Sequence, residues 1–474
     1  MGKKDLRLTS EPDWLNQETA GCEFKDKRLG KRFKNVLTQL WNGMGENVPY
    51  ACQDWANTKA AYRFFSNNRV NEKQILHGHF QSTQKRFSKS DDPILIIQDT
   101  TTFSYQRDKP ELIGITHLLR NGNMYAKSET HTQCGIQMHS SLAVTTQGLP
   151  LGLAAIKFWT RKKFKGTNAL KKHVNPTRIS IKEKESYRWI QSMKESTKLL
   201  NEPNRCIHIG DRESDIYELF CTAKEIGTNF LVRTCVNRLA GDGKHTISDE
   251  MDEVKIKGLH RLEVQDKKGN FSNALLEIRY RRIKVLPPIG KQKQYPELWL
   301  TVIHAEEKGN LKNRDKISWK LLTNLSITSS KEAIEKLHWY SLRWKIETFH
   351  KILKSGCKAE SSKLRTANRL VNLLAVFCIL SWRIFWMTMI NRCQPNARAE
   401  IALTNKEIKL LTYLTKSKNT NLQLSDYINK IARLGGYLAR NSDPPPGNIV
   451  MWRGLSRLTD ILLGFELGRE IVGN

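Results

Sequence analysis

Two short stretches constrain this chain more than any others, PILIIQD at 93–99 and CIHIGD at 206–211. Each is a largely apolar run that ends on an aspartate. An uninterrupted apolar run is what a strand covered on both faces of a sheet requires, so both predict buried central strands, the first ending at Asp99 and the second at Gly210-Asp211. HSSLAVTTQGLPLGLAAIKFW (139–159) predicts two more strands joined by a Gln147-Gly148 turn, and FLVRTCV (230–236) another. A helix is expected from about 181 to 200.

The pattern shifts along the chain. The first ninety residues read as basic helices: Leu29, Phe33, Val36, Leu37 and Leu40 form an apolar face beside Lys27, Arg28, Lys31, Arg32 and Lys34. A second basic-aromatic helix is expected at 58–67, and Asn71 with Gln74 predicts a capping box for a third through Phe87. Alternating β sequence fills 237–318, clearest at 275–285 and 297–305, and is broken by Pro287, Pro288 and Gly290. SWKLLTNL (318–325) resumes a strand. Ser329 and Ser330 then precede one helix that carries YSLRWKIETFHKILKSGC (340–357). The last hundred residues return to helices, interrupted by DPPPG (443–447), and Trp452, Leu455, Leu458, Leu462 and Phe465 form a final apolar seam. The fold class is therefore multi-domain α/β. Its expected domains are 1–90, 91–236 plus 319–372, an inserted β-rich block at 237–318, and a helical part at 373–474.

With 78 Lys plus Arg against 47 Asp plus Glu, the formal charge of the 474 residues is +31. The excess is spread over the chain, which points to a polyanionic partner, nucleic acid first and an acidic membrane surface second. Residues 1–5 lead into polar sequence without the apolar core of a secretory leader. The stretch 370–390 is long enough to span a bilayer, but Arg383 inside it would cost about 2.5–3.5 kcal/mol there, so a buried core helix is expected. Nine cysteines without a C-x-x-C pair read as free thiols of a reducing cytoplasm.

Within 340–357, Tyr340, Arg343, Glu347, Lys351 and Lys354 fall on one stripe of a helix, and Leu342, Ile346, Phe349 and Leu353 on a second, apolar one. One reading is a solvated face with a Glu347–Lys351 pair. The other joins Glu347 to Asp99 and Asp211, which stand where strand ends of an open sheet converge. Three carboxylates offer the hard oxygen ligands that Mg²⁺ favours, and two such ions can activate one oxygen and stabilise another. Aspartates at strand ends also cap turns, so this reading stays open on spacing alone. A rival reading takes Glu335-x-x-His338 and Glu347-x-x-His350 as halves of a di-iron site.

The segment Y-x-x-R-x-x-x-E-x-x-x-x-x-x-K at Tyr340, Arg343, Glu347 and Lys354 resembles the signature of the DDE transposases of the insertion-sequence-4 family. IQDTT around Asp99 and GDRESD around Asp211 resemble that family's other acidic motifs. AAYRFF, FLVR and IARLGG extend the likeness over most of the chain. The resemblance implies an RNase H-like catalytic core with an inserted β-rich subdomain, an N-terminal helical DNA-binding domain and a C-terminal helical dimerisation domain. It implies Asp99, Asp211 and Glu347 as catalytic ligands of two Mg²⁺ ions, with Mn²⁺ as a substitute, in cut-and-paste transposition through a DNA hairpin. It further implies Arg233, Tyr340, Arg343, Lys351 and Lys354 on the DNA backbone, Trp319 and Trp344 stacking on a flipped base, and Arg32 and Arg63 on the end sequence. The implied partners are terminal inverted repeats, target DNA and a second copy of the chain, with no membrane, in the bacterial cytoplasm on the nucleoid. Two alternatives remain: another RNase H-like DNA nuclease, and a catalytically silent transposase-derived DNA-binding protein.

Overall fold

The computed structural model describes residues 14–120, 130–161, 179–265, 271–309, 315–414 and 422–472. The leaderless opening expected at 1–5 lies outside them. Five helices come first: α1 (Trp14–Thr19), α2 (Lys27–Asn42), α3 (Val48–Cys52), α4 (Trp55–Phe65) and α5 (Glu72–Phe87). Asp26, Asn47, Asp54 and Asn71 each accept a hydrogen bond from a first-turn backbone N–H. At Asn71 the Gln74 side chain returns the bond, completing the capping box the sequence predicts. Phe33, Val36, Leu37 and Leu40 are buried as expected, and that burial turns Lys27, Arg28 and Lys31 to solvent.

The strands are β1 (Ile94–Tyr105), β2 (Ile115–Arg120), β3 (Thr130–Thr145), β4 (Pro150–Trp159), β5 (Cys206–Gly210), β6 (Asn229–Arg233), β7 (Leu239–Ala240), β8 (His245–Thr246), β9 (Gly258–Gln265), β10 (Phe271–Val285), β11 (Leu298–Glu307) and β12 (Ser318–Thr323). They form one sheet in the order β2-β3-β1-β5-β6-β12-β11-β10-β7-β8, with β4 on β3 and β9 on β10. β1, β5 and β6 run parallel; β3 is antiparallel to β1, and β12 to β6. The β-rich block thus continues the sheet through β12 and β11. One expectation is corrected here: β1 does not end at Asp99 but runs to Tyr105. β3 goes on pairing it, Asp99 with Ser140 and Tyr105 with Cys134, after β5 has stopped at Gly210.

The remaining helices are α6 (Tyr187–Leu200), α7 (Tyr217–Ile226), α8 (Ile247–Asp252), α9 (Ser330–Ser341), α10 (Trp344–Lys351), α11 (Ala367–Cys393), α12 (Asn405–Leu414), α13 (Leu424–Leu434) and α14 (Asn448–Val472). The helix expected from 181 begins at Tyr187, after a lone 3-10 turn at 181–183. The single helix expected through 340–357 is also corrected. It breaks at Leu342-Arg343 and ends in a π turn over 352–356. The apolar stripe of Leu342, Ile346, Phe349 and Leu353 is nonetheless buried, so packing of that stripe sets the path of the broken helix.

α11 is buried along its apolar length, as a core helix must be. Inside it the Arg383 guanidinium donates to Ala402 O at 2.6 Å and lies 4.7 Å from the Trp386 ring centre, while its buried Nε has no hydrogen-bond partner. Asn372 donates to Phe65 O and Val70 O, tying α11 to the N-terminal helices. The boundary expected between 372 and 373 therefore falls inside an unbroken helix. In α14, Leu455 and Leu458 are buried and Trp452 packs on Gly356, while Phe465 is 52% exposed and Ile471 82%. All nine cysteines are free thiols.

Candidate active site

Parallel pairing of β1 with β5 sets Ile97 opposite Ile209. Asp99 and Asp211 each lie two residues beyond that rung, so the register delivers both to one edge of the sheet. Asp211 also caps the turn that follows, accepting from Glu213 N at 2.9 Å. The turn-capping role and a role at the site are thus compatible. α10 packs on β1 and brings Glu347 alongside. Arg343, at the break before α10, joins the set: it donates to Glu347 Oε1 at 2.6 Å and stands 3.7 Å from Asp99 Oδ2.

The electrostatics are those of crowded negative charge. Burial, above all, pushes the Asp99 carboxyl up from 3.8 to about 6. The Thr100 N–H, donating at 2.7 Å, and the Arg343 cation oppose the rise, and the charges of Asp211 and Glu347 add to it. Tyr340 is buried beside them, its phenol pushed up mainly by burial, with Asp211 adding to the rise and the Arg343 and Arg233 cations opposing it. Arg233 also donates to Ser318 O at 3.0 Å. Trp319, on β12, meets the Tyr340 ring edge-on at 5.5 Å. Lys354 lies 5.6 Å from the Phe103 ring centre on β1, and Lys351 is exposed.

Trp344 stands apart from Trp319, half-exposed in a cleft against the C-terminal helices. Arg32 and Arg63 lie on α2 and α4, Arg63 exposed and Arg32 half-buried. The di-iron reading has no geometric support. His350 is buried against Ser140 Oγ at 2.9 Å, Glu335 pairs with Lys336, and His338 is exposed.

A second layer escaped the sequence reading. Gln98 and Thr100 flank Asp99 on β1 and belong to a buried hydrogen-bonded chain. It runs from Thr197 Oγ1 to His208 Nε2 (3.0 Å), His208 Nδ1 to Gln98 (3.1 Å), Gln98 to His139 Nε2 (3.3 Å) and His139 Nδ1 to Thr100 Oγ1 (2.9 Å). Arg188 Nε then donates to Thr100 Oγ1 at 3.0 Å, and its other end pairs with Glu213, two residues after Asp211. Burial holds both imidazoles below their ordinary pKa, His208 at about 3, and neutral rings with the proton on Nε2 satisfy every link. Arg188 thereby connects the strand of Asp99 to the turn of Asp211. Its only mark in the sequence is a place beside Trp189, and no spacing singles it out.

Among the described residues no three His, Cys, Asp or Glu side chains stand close enough to share an ion as they are. The donor chemistry still fits a hard cation. The charges of Asp211 and Glu347 both reach Asp99, and Arg343 supplies positive charge between Asp99 and Glu347. Carboxylates at a sheet edge, ringed by arginine, lysine and aromatic side chains, compose a site suited to phosphate chemistry on a nucleic acid.

Residues 11–70 match the family model for transposase DNA-binding, and residues 185–382 match that of the transposase DDE domain. The chain thus carries a transposase DNA-binding domain followed by a DDE transposase domain, and with them a role in DNA transposition and recombination. Asp211 and Glu347 fall inside the second match; Asp99 lies between the two.

Proposed function

We propose that this chain is a transposase of the insertion-sequence-4 family. It would bind the terminal inverted repeats of its element and perform cleavage, through a hairpin, and strand transfer at Asp99, Asp211 and Glu347. The observation that carries this reading is the meeting of Asp99 and Glu347 at Arg343, with Asp211 brought to the same sheet edge by the parallel register of β1 and β5. The strand run β4-β3-β1-β5-β6 supports an RNase H-like core, and β7 to β11 an inserted subdomain.

Mg²⁺, two ions in this reading or Mn²⁺ in their place, would be held by the three carboxylates and would supply Lewis acidity and an activated water. The chain's own residues do the rest. Arg343 neutralises Asp99 and Glu347 while the site waits, and its fork can turn to a phosphate when DNA arrives. Tyr340, Arg233, Lys351 and Lys354 hold the DNA backbone beside the carboxylates. Trp319 offers a stacking face for a base displaced as the hairpin bends, with Trp344 as its companion, offsetting about 1–3 kcal/mol of unpairing cost. Arg32 and Arg63 contact the end sequence from the basic N-terminal helices. A second copy, joined through the exposed end of α14, completes the synapse in the nucleoid-associated cytoplasm.

The test uses a labelled duplex carrying the inverted repeats that border the gene, incubated with Mg²⁺. A hairpin and target joining are expected; nicking alone would favour a plain nuclease, and binding without cleavage a silent derivative. Asp99→Ala is expected to abolish cleavage and keep repeat binding.

A further inference from the structure

Past the turn that follows Asp211, the start of α7 forms one wall of a cleft of about 550 Å³. Its other walls are residues 181–186, the β6–β7 loop at 236–239 and the β10–β11 loop at 286–291. That volume lies within the range of small-ligand sites. The walls are held in place by hydrogen bonds. Asp215 Oδ2 accepts from Thr234 Oγ1 at 2.8 Å, Cys235 N at 2.7 Å and Val236 N at 2.9 Å, which fixes the β6–β7 loop. The Tyr217 hydroxyl donates to Pro296 O at 2.7 Å and so ties α7 to the β10–β11 loop, where Pro287 and Pro288 restrict the backbone.

The lining specifies an occupant. Ile181, Ile216, Val236, Leu239, Leu286 and Ile289 make it largely apolar, and at its rim Ile289 is 77% exposed and Val236 47%. Its two acids are already matched: Asp215 Oδ1 lies 2.5 Å from Arg238 Nη1, and Glu218 Oε1 2.6 Å from Lys291 Nζ. Lys184, half-buried in the same lining, forms no ion pair with any described residue. Burial pushes its amine down, the Lys291 charge adds to that, and Glu218 opposes it. An apolar recess with one unmatched ammonium suits a hydrocarbon body that ends in a single negative charge. A nucleotide suits it poorly. Tyr217 is the one aromatic side chain in the lining and its ring is buried, and Asp215 and Glu218 would repel a polyphosphate.

We infer that this cleft is a binding site for a small apolar carboxylic acid, its hydrocarbon part against Ile216, Leu239 and Leu286 and its carboxylate on Lys184. The inference goes beyond the transposase reading and stands without it.

The experiment is calorimetric titration of the full chain at pH 7 with hexanoate, octanoate and octanamide. Saturable binding of octanoate is expected, roughly tenfold tighter than that of octanamide, the scale of one hydrogen bond to a charged group. Octanoate is also expected to bind about tenfold more tightly than hexanoate, since each buried CH₂ is worth roughly fourfold at most. Lys184→Gln is expected to remove the preference for acid over amide and to keep the dependence on chain length. Ile289→Asp changes an exposed side chain at the rim and is expected to weaken octanoate and octanamide alike. Thermal unfolding without ligand checks that each variant is folded. The inference is overturned by absence of saturable octanoate binding, by equal affinity for octanoate and octanamide, or by a folded Lys184→Gln that keeps the wild-type preference. Octanoate affinity that Ile289→Asp leaves unchanged overturns it too, and that arm does not depend on the fold of the Lys184 variant.

Discussion

Asp99, a carboxylate of the proposed site, costs the fold stability when it is ionised. Its folded pKa, about 6, lies above the usual carboxylate value. The folded state therefore binds that proton more tightly than the unfolded chain does, and ionised Asp99 costs stability. The cost is absent below about pH 4, grows as pH rises, and is complete above pH 6. Asp99→Asn keeps the shape and removes the charge. In chelator it is expected to raise stability by roughly 1–3 kcal/mol at pH 8 and by nothing at pH 4, as read from urea unfolding. A lower stability at pH 8 would show that the Arg343 pairing outweighs burial. Arg188→Ala removes the donor to Thr100 and the partner of Glu213, and is expected to cost about 1–3 kcal/mol. Cleavage should slow while duplex affinity is kept; unchanged cleavage would show that the second layer does not position Asp99 and Asp211. Asp99 and Asp211 were legible because each ends a buried apolar run. Arg188, Gln98 and His139 were not, because hydrogen bonds between distant segments leave no period in the sequence.

Among the elements, α13 and α14 depend on closeness that only glycine permits. A Cβ on Gly454 would sit 1.9 Å from Ile431 O, and one on Gly435 1.9 Å from Val450 O. Neither backbone oxygen can move aside without opening the crossing. Gly454→Val is therefore expected to separate α14 from α13 and expose the 435–447 loop, visible as new cleavage there in limited proteolysis. The same digestion pattern as wild type would refute this packing account. Several helix positions were readable from sequence, and so was one cap, the Asn71–Gln74 box. The break at Leu342-Arg343 was not, since local propensity favours helix across 340–351, and tertiary packing alone places Arg343 between two carboxylates.

For the whole molecule, a charge of +31 and a transposase DNA-binding domain make DNA affinity strongly salt-dependent, because binding releases counterions from the phosphates. The far end of α14 leaves Leu463, Phe465, Leu467 and Ile471 exposed, and this is the face through which the proposed synapse would pair. Phe465→Asp is expected to leave single-end binding intact and to abolish paired-end complexes in a gel-shift assay. Persistence of those complexes would place the subunit contact elsewhere.

Local pattern was enough to give the buried apolar runs that stop at an aspartate, the amphipathic helices with one capping box, a core helix long enough to mimic a membrane span, and a basic surface. These follow from side-chain period and composition, which act over a few neighbouring residues. The tertiary structure alone decided that Ile97 pairs with Ile209 and so levels Asp99 with Asp211. It alone carried β1 on to Tyr105, and joined the β-rich block to the same sheet. It alone set Arg343 between Asp99 and Glu347. Register and side-chain convergence are fixed by pairing between segments distant in sequence, and the free energy that selects them comes from burial and hydrogen bonding that exist only once the chain has folded.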